Sequence, residues 1–470
     1  MMSVRASFGI VALLLVLRTV FAATLPLTAD EAYYWLWSKH LAAGYLDHPP
    51  AIAWLIACGT HFFGDTPLGV RVAGVVLSVP ASWFVWRSAL LLLKDARRAA
   101  LAVLLFQLTL MASVELLAAT PDMPSLVTSA AFVWCLAKVH DSGQGRWWLA
   151  AGIAAGLGLL SKYAVLFLGL GALVWMLVAA RRWLLSPWPY LGAALALLVA
   201  APHLAWEVHH GFETFVFQFR RVGASHMTLR FVGELLAAQV ALATPFIFIL
   251  MGAGLWRATR RDDPCFMLAV LVWTAMVYFL QHALHDRVQG NWPCFLYPAL
   301  AVLAASAFRH DGLRRWPSRL AAPVAALLLL LTYAQAQVGV ITIKHDPAAR
   351  LLGRDFTDVA RVAAALVKSR RVTAIVTTDY ETTAWLRFTQ PDLKVIQVNE
   401  PQRYDGAPAA QAGDLKDALL YVTPARRDQH LLVRQQFADI GEPHQIQTAS
   451  GAYSLYRVTR ARVVPLGKMP

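Results

Sequence analysis

Asp30-Glu31-Ala32-Tyr33-Tyr34-Trp35-Leu36-Trp37 comes directly after the first apolar run, and Asp47-His48-Pro49-Pro50 follows a few residues later. Two acidic clusters and a belt of aromatics are thereby held at one end of a membrane-length segment. Carboxylates at a bilayer boundary are costly unless they face water or bind something. Thr28-Ala29-Asp30-Glu31 fits a capping box, with Thr28 as N-cap and Glu31 at N3. A short helix is expected to follow. Tyr33, Tyr34, Trp35 and Trp37 are residue types enriched where headgroups meet water, so the helix is expected to lie along the membrane surface. The helix dipole favours ionised carboxylates in its first turn. The Pro pair predicts a second short helix running through Phe63.

Outward from that stretch, the composition is that of a membrane protein. The chain has 470 residues, 58% hydrophobic and 15% charged, against roughly 25% charged in soluble proteins. Apolar runs of span length predict about eleven transmembrane helices: 7–25, 67–93, 99–119, 123–139, 147–160, 163–180, 187–205, 232–256, 265–282, 292–308 and 320–341. The formal net charge of +14 is divided among short clusters between these runs, which argues against a nucleic-acid partner. Alternate connections carry fifteen Lys and Arg (Arg5, Lys94, Arg97, Arg98, Lys138, Arg146, Arg181, Arg182, Arg257, Arg260, Arg261, Arg309, Arg314, Arg315, Arg319), whereas the opposite ones carry six (Lys39, Lys162, Arg220, Arg221, Arg230, Arg287). The positive-inside rule then puts the N-terminus in the cytoplasm, and the acidic loops and C-terminus outside. Arg18 inside the first run argues for a retained span over a cleaved leader.

The domain reading is 1–341 in the membrane and 342–470 as a small extracytoplasmic α/β domain. The latter contains strand-like Val372–Thr377, 394–398, 417–422 and 452–458, with a helix-compatible stretch at 380–388. Cys58, Cys135, Cys265 and Cys294 have neither disulfide nor metal spacing and are expected to be buried thiols.

The candidate chemistry lies on the outer side. Asp30 is a candidate base for an acceptor hydroxyl, with Glu31, Asp47 and Asp122 as supporting acids. His48 could contact a phosphate or ligate a metal, and an Asp-His pair by itself leaves a divalent metal open. Asp122 lies in Thr120-Pro121-Asp122-Met123-Pro124, where Thr120 can cap the next span; Glu115 precedes it as an interfacial charge. Lys162 in Ser161-Lys162-Tyr163, and Arg287 before Gly290-Asn291-Trp292-Pro293, are cations against the charge trend and suit an anionic ligand. Tyr163, Asn291 and Trp292 accompany them as pocket candidates. Arg220-Arg221 is a weaker candidate, and Arg18 and Arg71 are expected to pair with acids. Each residue also has a structural explanation: cap, rigid helix start, or snorkelling at a span end.

Taken in order, these motifs resemble the polytopic GT-C glycosyltransferases, in the group around dolichyl-phosphate-mannose–protein mannosyltransferases and bacterial aminoarabinose and related lipid A sugar transferases. The resemblance covers most of residues 7–300. It implies a polyprenyl-phosphate-linked sugar as donor and a lipid A, lipopolysaccharide or other envelope glycan as acceptor. Transfer would occur with inversion on the extracytoplasmic face of a bacterial inner membrane. By that likeness Asp30 is the base, and Lys162 and Arg287 steady the leaving phosphate. His48 stands where the aminoarabinose transferases have lysine. A competing expectation is a transporter or flippase of a lipid-linked anion, which shares the spans and outer cations; broken helices and repeated halves are not visible in the sequence. Membrane anchoring of a partner-binding tail needs far fewer spans.

Overall fold

Apolar runs punctuated by Pro, Gly and short polar turns give one helix after another. The computed structural model describes residues 3–219, 227–309, 315–341, 348, 351–353, 356–369, 372–415, 417–448, 451–462 and 467–470; Arg220, Arg221 and Arg314 lie outside the described residues. The helices, in order, are α1 (Val4–Thr24), α2 (Ala29–Lys39), α3 (Ala51–Phe63), α4 (Pro67–Leu93), α5 (Ala96–Leu108), α6 (Leu110–Glu115), α7 (Asp122–Ser142), α8 (Trp147–Leu159), α9 (Leu166–Ala179), α10 (Pro187–His209), α11 (Glu213–Phe219), α12 (Arg230–Ala243), α13 (Pro245–Arg257), α14 (Phe266–Ala283), α15 (Tyr297–Ala307) and α16 (Arg315–Val338).

All eleven expected segments contain helix, of unequal length. Among the described residues, α1, α4, α10, α14 and α16 are each long and apolar enough to cross a bilayer. Two expected spans are broken. Thr109 adopts an extended conformation, ends α5, and accepts from the Ala112 amide to cap α6. Between α12 and α13 the chain bends by 109°. Thr244 there has φ +69, and Pro245 supplies no amide and disfavours helix in the residue before it.

The chain forms two compact units: Met1–Ala22, Asp47–Ile52 and Arg71–Tyr333 make one, and Ala23–Leu46, Ala53–Val70 and Ala334–Pro470 the other. The first is helical. Its α8 and α10 touch backbone to backbone: a Cβ on Gly152 would lie 2.1 Å from the Gly192 carbonyl oxygen, and one on Gly192 2.4 Å from that of Trp148. Small residues permit such contact where lipid supplies no hydrophobic drive. Arg18 is buried and hydrogen-bonds to neutral side chains. It donates to Ser78 Oγ and, at 2.8 Å, to Gln107 Oε1. Among the described residues these hydrogen bonds stand where an acidic partner was expected. Of the four cysteines, Cys58 is exposed, contrary to expectation, and the other three are buried.

The second unit is built on a six-stranded sheet with order β2-β1-β3-β6-β4, β5 also pairing with β6. Its strands are β1 (Val372–Thr377), β2 (Val395–Gln397), β3 (Ala418–Pro424), β4 (Phe437–Ile440), β5 (His444–Thr448) and β6 (Gly451–Ala461). β1 runs parallel to β2 and β3, and β6 antiparallel to β3, β4 and β5. Ala374, Val376, Ile396, Leu419, Tyr421 and Val458 form part of its core. α2 belongs to this unit. Its Trp35 rings against Phe388 at 5.1 Å, and Trp385 Nε1 donates to the Leu27 carbonyl at 3.0 Å. The aromatic belt is thus packed within protein: Tyr33, Tyr34, Trp35 and Trp37 are all buried, in place of the expected headgroup exposure. Trp37 stacks flat on Tyr45 at 4.2 Å.

Candidate active site

Capping separates the two acids of α2. Glu31 Oε2 accepts from the Thr28 amide at 2.9 Å, and Thr28 Oγ1 accepts from the Glu31 amide at 3.2 Å, so the expected capping box is complete. Glu31 is fully buried, whereas Asp30 is exposed. The Tyr380 hydroxyl, at the start of the helix Tyr380–Thr389, donates to Asp30 Oδ1 at 3.0 Å. Tyr33 packs against Tyr380 and Tyr404 with centroids 5.0 and 5.8 Å away. The Arg403 guanidinium covers Tyr380 at 5.0 Å and Tyr33 at 5.8 Å. Burial, and then the negative charge of Asp30, push the Tyr380 phenol well above its ordinary pKa, so it remains a neutral donor.

The remaining candidates belong to the first unit. Asp122, the first residue of α7, is buried and collects donors from three side chains. Lys162 Nζ reaches both its oxygens at 2.7 and 2.8 Å. Asn291 Nδ2 donates at 2.8 Å and Cys294 Sγ at 2.9 Å. Lys162 lies in extended backbone between α8 and the 3-10 turn Tyr163–Val165. Thr120 does not cap α7; its hydroxyl donates to Glu115 Oε2 at 3.0 Å, and the N-cap position, Pro121, makes no side-chain cap bond. Glu115 is therefore part of the polar wall near this cluster rather than a bare interfacial charge.

Tyr163 faces another polar group. Its hydroxyl donates to Glu207 Oε1 at 2.8 Å and lies 2.6 Å from His203 Nε2, both buried on α10. The Asp47–Pro50 turn is tied down by Gln218 Nε2 donating to the Asp47 carbonyl and by the Ala51 amide donating to the Leu160 carbonyl at 2.9 Å. Asp47 is buried and His48 half-buried. This fixes the turn two residues short of Lys162 along the opposing chain. Arg287 is largely exposed and pairs with Glu234 of α12 at 3.1 Å; Glu234 also pairs with Arg230 at 2.9 Å. The Trp292 ring lies tilted against His282, with centroids 5.6 Å apart.

The structure thus brings Asp122, Lys162 and Asn291 together, and puts Arg287 in an ion pair outside that cluster. Cys294, His203, Glu207 and Tyr380 are polar partners that the sequence reading missed. Cys294 sits three residues after Asn291, next to a motif already singled out; the others had no local signal. Among the described residues no group of three or more His, Cys, Asp and Glu side chains converges as metal ligands would.

The family described as "Dolichyl-phosphate-mannose-protein mannosyltransferase" matches residues 47–206, and "Cobalamin biosynthesis central region" matches residues 348–433. A protein named lipid A galacturonosyltransferase RgtD, from Rhizobium johnstonii, is 27% identical over 420 residues, covering 84% of this chain and 85% of its own length. An undecaprenyl phosphate-alpha-4-amino-4-deoxy-L-arabinose arabinosyl transferase of Pseudomonas fluorescens is 27% identical over 57% of this chain. The match spans 50% of that transferase's own length. The crystal structure of ArnT from Cupriavidus metallidurans bound to undecaprenyl phosphate superposes with a TM-score of 0.67 at 17% identity, covering 98% of each chain. The α12–α13 break removes one sequence argument against transport, but these relatives give the transport reading no support. Ordered motifs, near full-length likeness to a sugar transferase and the shared fold point the same way: the chain is similar to the GT-C integral-membrane glycosyltransferases.

Proposed function

We propose that this enzyme moves a sugar from a polyprenyl-phosphate donor to lipid A, lipopolysaccharide or a related envelope glycan on the extracytoplasmic face of a bacterial inner membrane. The observation that carries the mechanism is the division of labour in α2: Glu31 closes the cap, while the neighbouring Asp30 carboxylate is exposed. The names of the relatives support the donor and acceptor classes. The charge bias of the loops supports the sidedness.

In this reading the acceptor hydroxyl attacks the anomeric carbon from the side opposite the phosphate. The new C–O bond forms as the bond to the phosphate oxygen breaks, which inverts the centre. The hydroxyl proton passes to Asp30, and the bonding pair leaves with the polyprenyl phosphate. General-base assistance of this kind contributes ~10²–10⁴-fold. Fixed cations lower the barrier by stabilising charge that develops on the leaving group. Lys162 is the first candidate for that role, held by Asp122 and ready to share its ammonium with a phosphate; Arg287 and His48 are the others. Within the first unit, Asp47 and Asp122 serve this role by fixing the turn and the lysine. Tyr163, Asn291 and Trp292 shape the surroundings of Lys162.

The test uses the full-length purified protein with undecaprenyl phosphate-4-amino-4-deoxy-L-arabinose or the corresponding uronic acid donor, lipid A as acceptor, and mass spectrometry of the product. Lipid A gains one sugar residue with the native chain and none with Asp30→Asn, which still binds donor. Near-normal transfer by Asp30→Asn removes Asp30 as base. Transport of intact donor across vesicles without any glycosylated product overturns the transferase reading of its substrates.

A further inference from the structure

The C-terminal residues contribute a side chain to the proposed base. Tyr380 and Asp30 lie 350 positions apart in sequence, yet the phenol donates to Asp30 Oδ1 at 3.0 Å. The arrangement around this bond is built. Asp379 caps the helix that begins at Tyr380, accepting from the Thr382 amide at 2.9 Å, which fixes where the Tyr380 side chain starts. Tyr33, one turn along α2 from Asp30, packs on the Tyr380 ring from one side. Arg403 covers the ring as well, and is itself held by Glu400 at 3.1 Å. Trp385, one turn further along the Tyr380 helix, is hydrogen-bonded to the Leu27 carbonyl just before α2. Phenol and carboxylate are therefore locked in register by contacts on both sides of the bond.

A partly buried phenol needs an acceptor, and a backbone carbonyl would satisfy it. A carboxylate acceptor does more. A hydrogen bond to the ionised form favours that form, and it fixes the rotation of the carboxyl group, so the proton-accepting lone pairs keep one direction.

We propose that Tyr380 is a positioning residue for Asp30, through which the C-terminal α/β region keeps the base ionised and aimed. This deepens the reading given above and rests on Asp30 being the base. Tyr380 is itself not required to exchange a proton. Among the described residues of the same unit, the titratable and charged groups around this pair are Glu31 and Tyr33 on α2, Asp379 and Glu381 at the start of the Tyr380 helix, Arg427 paired with Glu381 at 2.9 Å, and Arg403, Glu400 and Tyr404 at the turn Pro401–Tyr404.

The test is the pH profile of transfer by full-length Tyr380→Phe, which keeps the ring between Tyr33 and Arg403 and removes only the hydroxyl. Without the donor the ionised carboxylate is less favoured, its pKa rises, and the base form is present only at higher pH. The acidic limb of the kcat/KM profile should move up by roughly one pH unit, with about a tenfold loss below it and recovery toward the native rate above it. The KM for undecaprenyl phosphate-4-amino-4-deoxy-L-arabinose and the melting temperature should stay near native values. A profile that overlies the native one overturns the proposal. So does an equal loss at every pH with a raised donor KM, which signals a structural role only. Asp30→Asn measured alongside separates the two readings. If Asp30→Asn still transfers, the base assignment has failed. If Asp30→Asn is dead and Tyr380→Phe is native at all pH values, only the positioning role has failed.

Discussion

At the residue scale the most consequential pair is Asp122 with Lys162. Asp122 is buried and Lys162 half-buried, and Asn291 and Cys294 complete the shell around the carboxylate. Breaking one side of a buried ion pair typically costs about 3–5 kcal/mol, because the remaining charge is left uncompensated. Asp122→Asn should therefore lower thermal stability by an amount of that order and abolish transfer. The double variant Asp122→Asn with Lys162→Met should regain part of the stability and none of the activity. Melting of the purified variants in detergent, alongside the product assay, checks this. A single variant as stable as the double one would mean that the ammonium needs no counter-charge. Lys162 was visible in the sequence because it opposes the charge trend of its loop. Its partner was visible only as an acid near a helix start, and Cys294 only as an apolar thiol. Their meeting depends on α7, α8 and the 292–296 turn being packed together, which no local pattern records.

At the element scale α2 shows how local rules fix the proposed base. Thr28 and Glu31 close the box, and Asp30 is what the cap leaves over. Replacing an N-cap Thr by Ala costs ~0.5–2 kcal/mol. Thr28→Ala should lose stability in that range, and transfer should fall further than the stability loss explains because Asp30 moves with the first turn. Thr28→Ser should retain both. Calorimetry and initial rates on the three proteins decide it; equal rates in all of them would uncouple the cap from the base. The box was legible because it is a four-residue rule. So were Val372–Thr377 and the helix Tyr380–Thr389, where β-branched and mixed patterns stand out. β5, His-Gln-Ile-Gln-Thr, was not: it is mostly polar and gains its place by pairing with β6. The breaks at Thr109 and Thr244 were hidden inside apolar runs. The aromatics of α2 were misread because Tyr and Trp suit a headgroup zone and a protein interior equally, and the choice depends on Trp385, Phe388 and Tyr404 far downstream.

At the scale of the whole molecule the charge pattern makes a prediction independent of helix length. An odd number of crossings with a cytoplasmic N-terminus puts the last residue outside. Alkaline phosphatase joined after Pro470 should be active in cells, and a fluorescent protein that matures only in the cytoplasm should be dark at the same point. The reverse result would overturn the orientation, and with it the outer location of Asp30. Among the described residues five helices are individually long enough to cross, and the shorter and broken ones set the crossing number that the fusions read.

The bonds from Tyr380 to Asp30 and from Trp385 to Leu27 tie the tail of the chain to its first loop. Grafting the tail of a homologue onto this protein without the matching loop would strand both halves of that seam. Natural lineages should accordingly inherit the two segments as one cassette, and drift at position 380 should be answered near position 30. Chimaeras of this protein would do best to exchange residues 23–46 and 334–470 together.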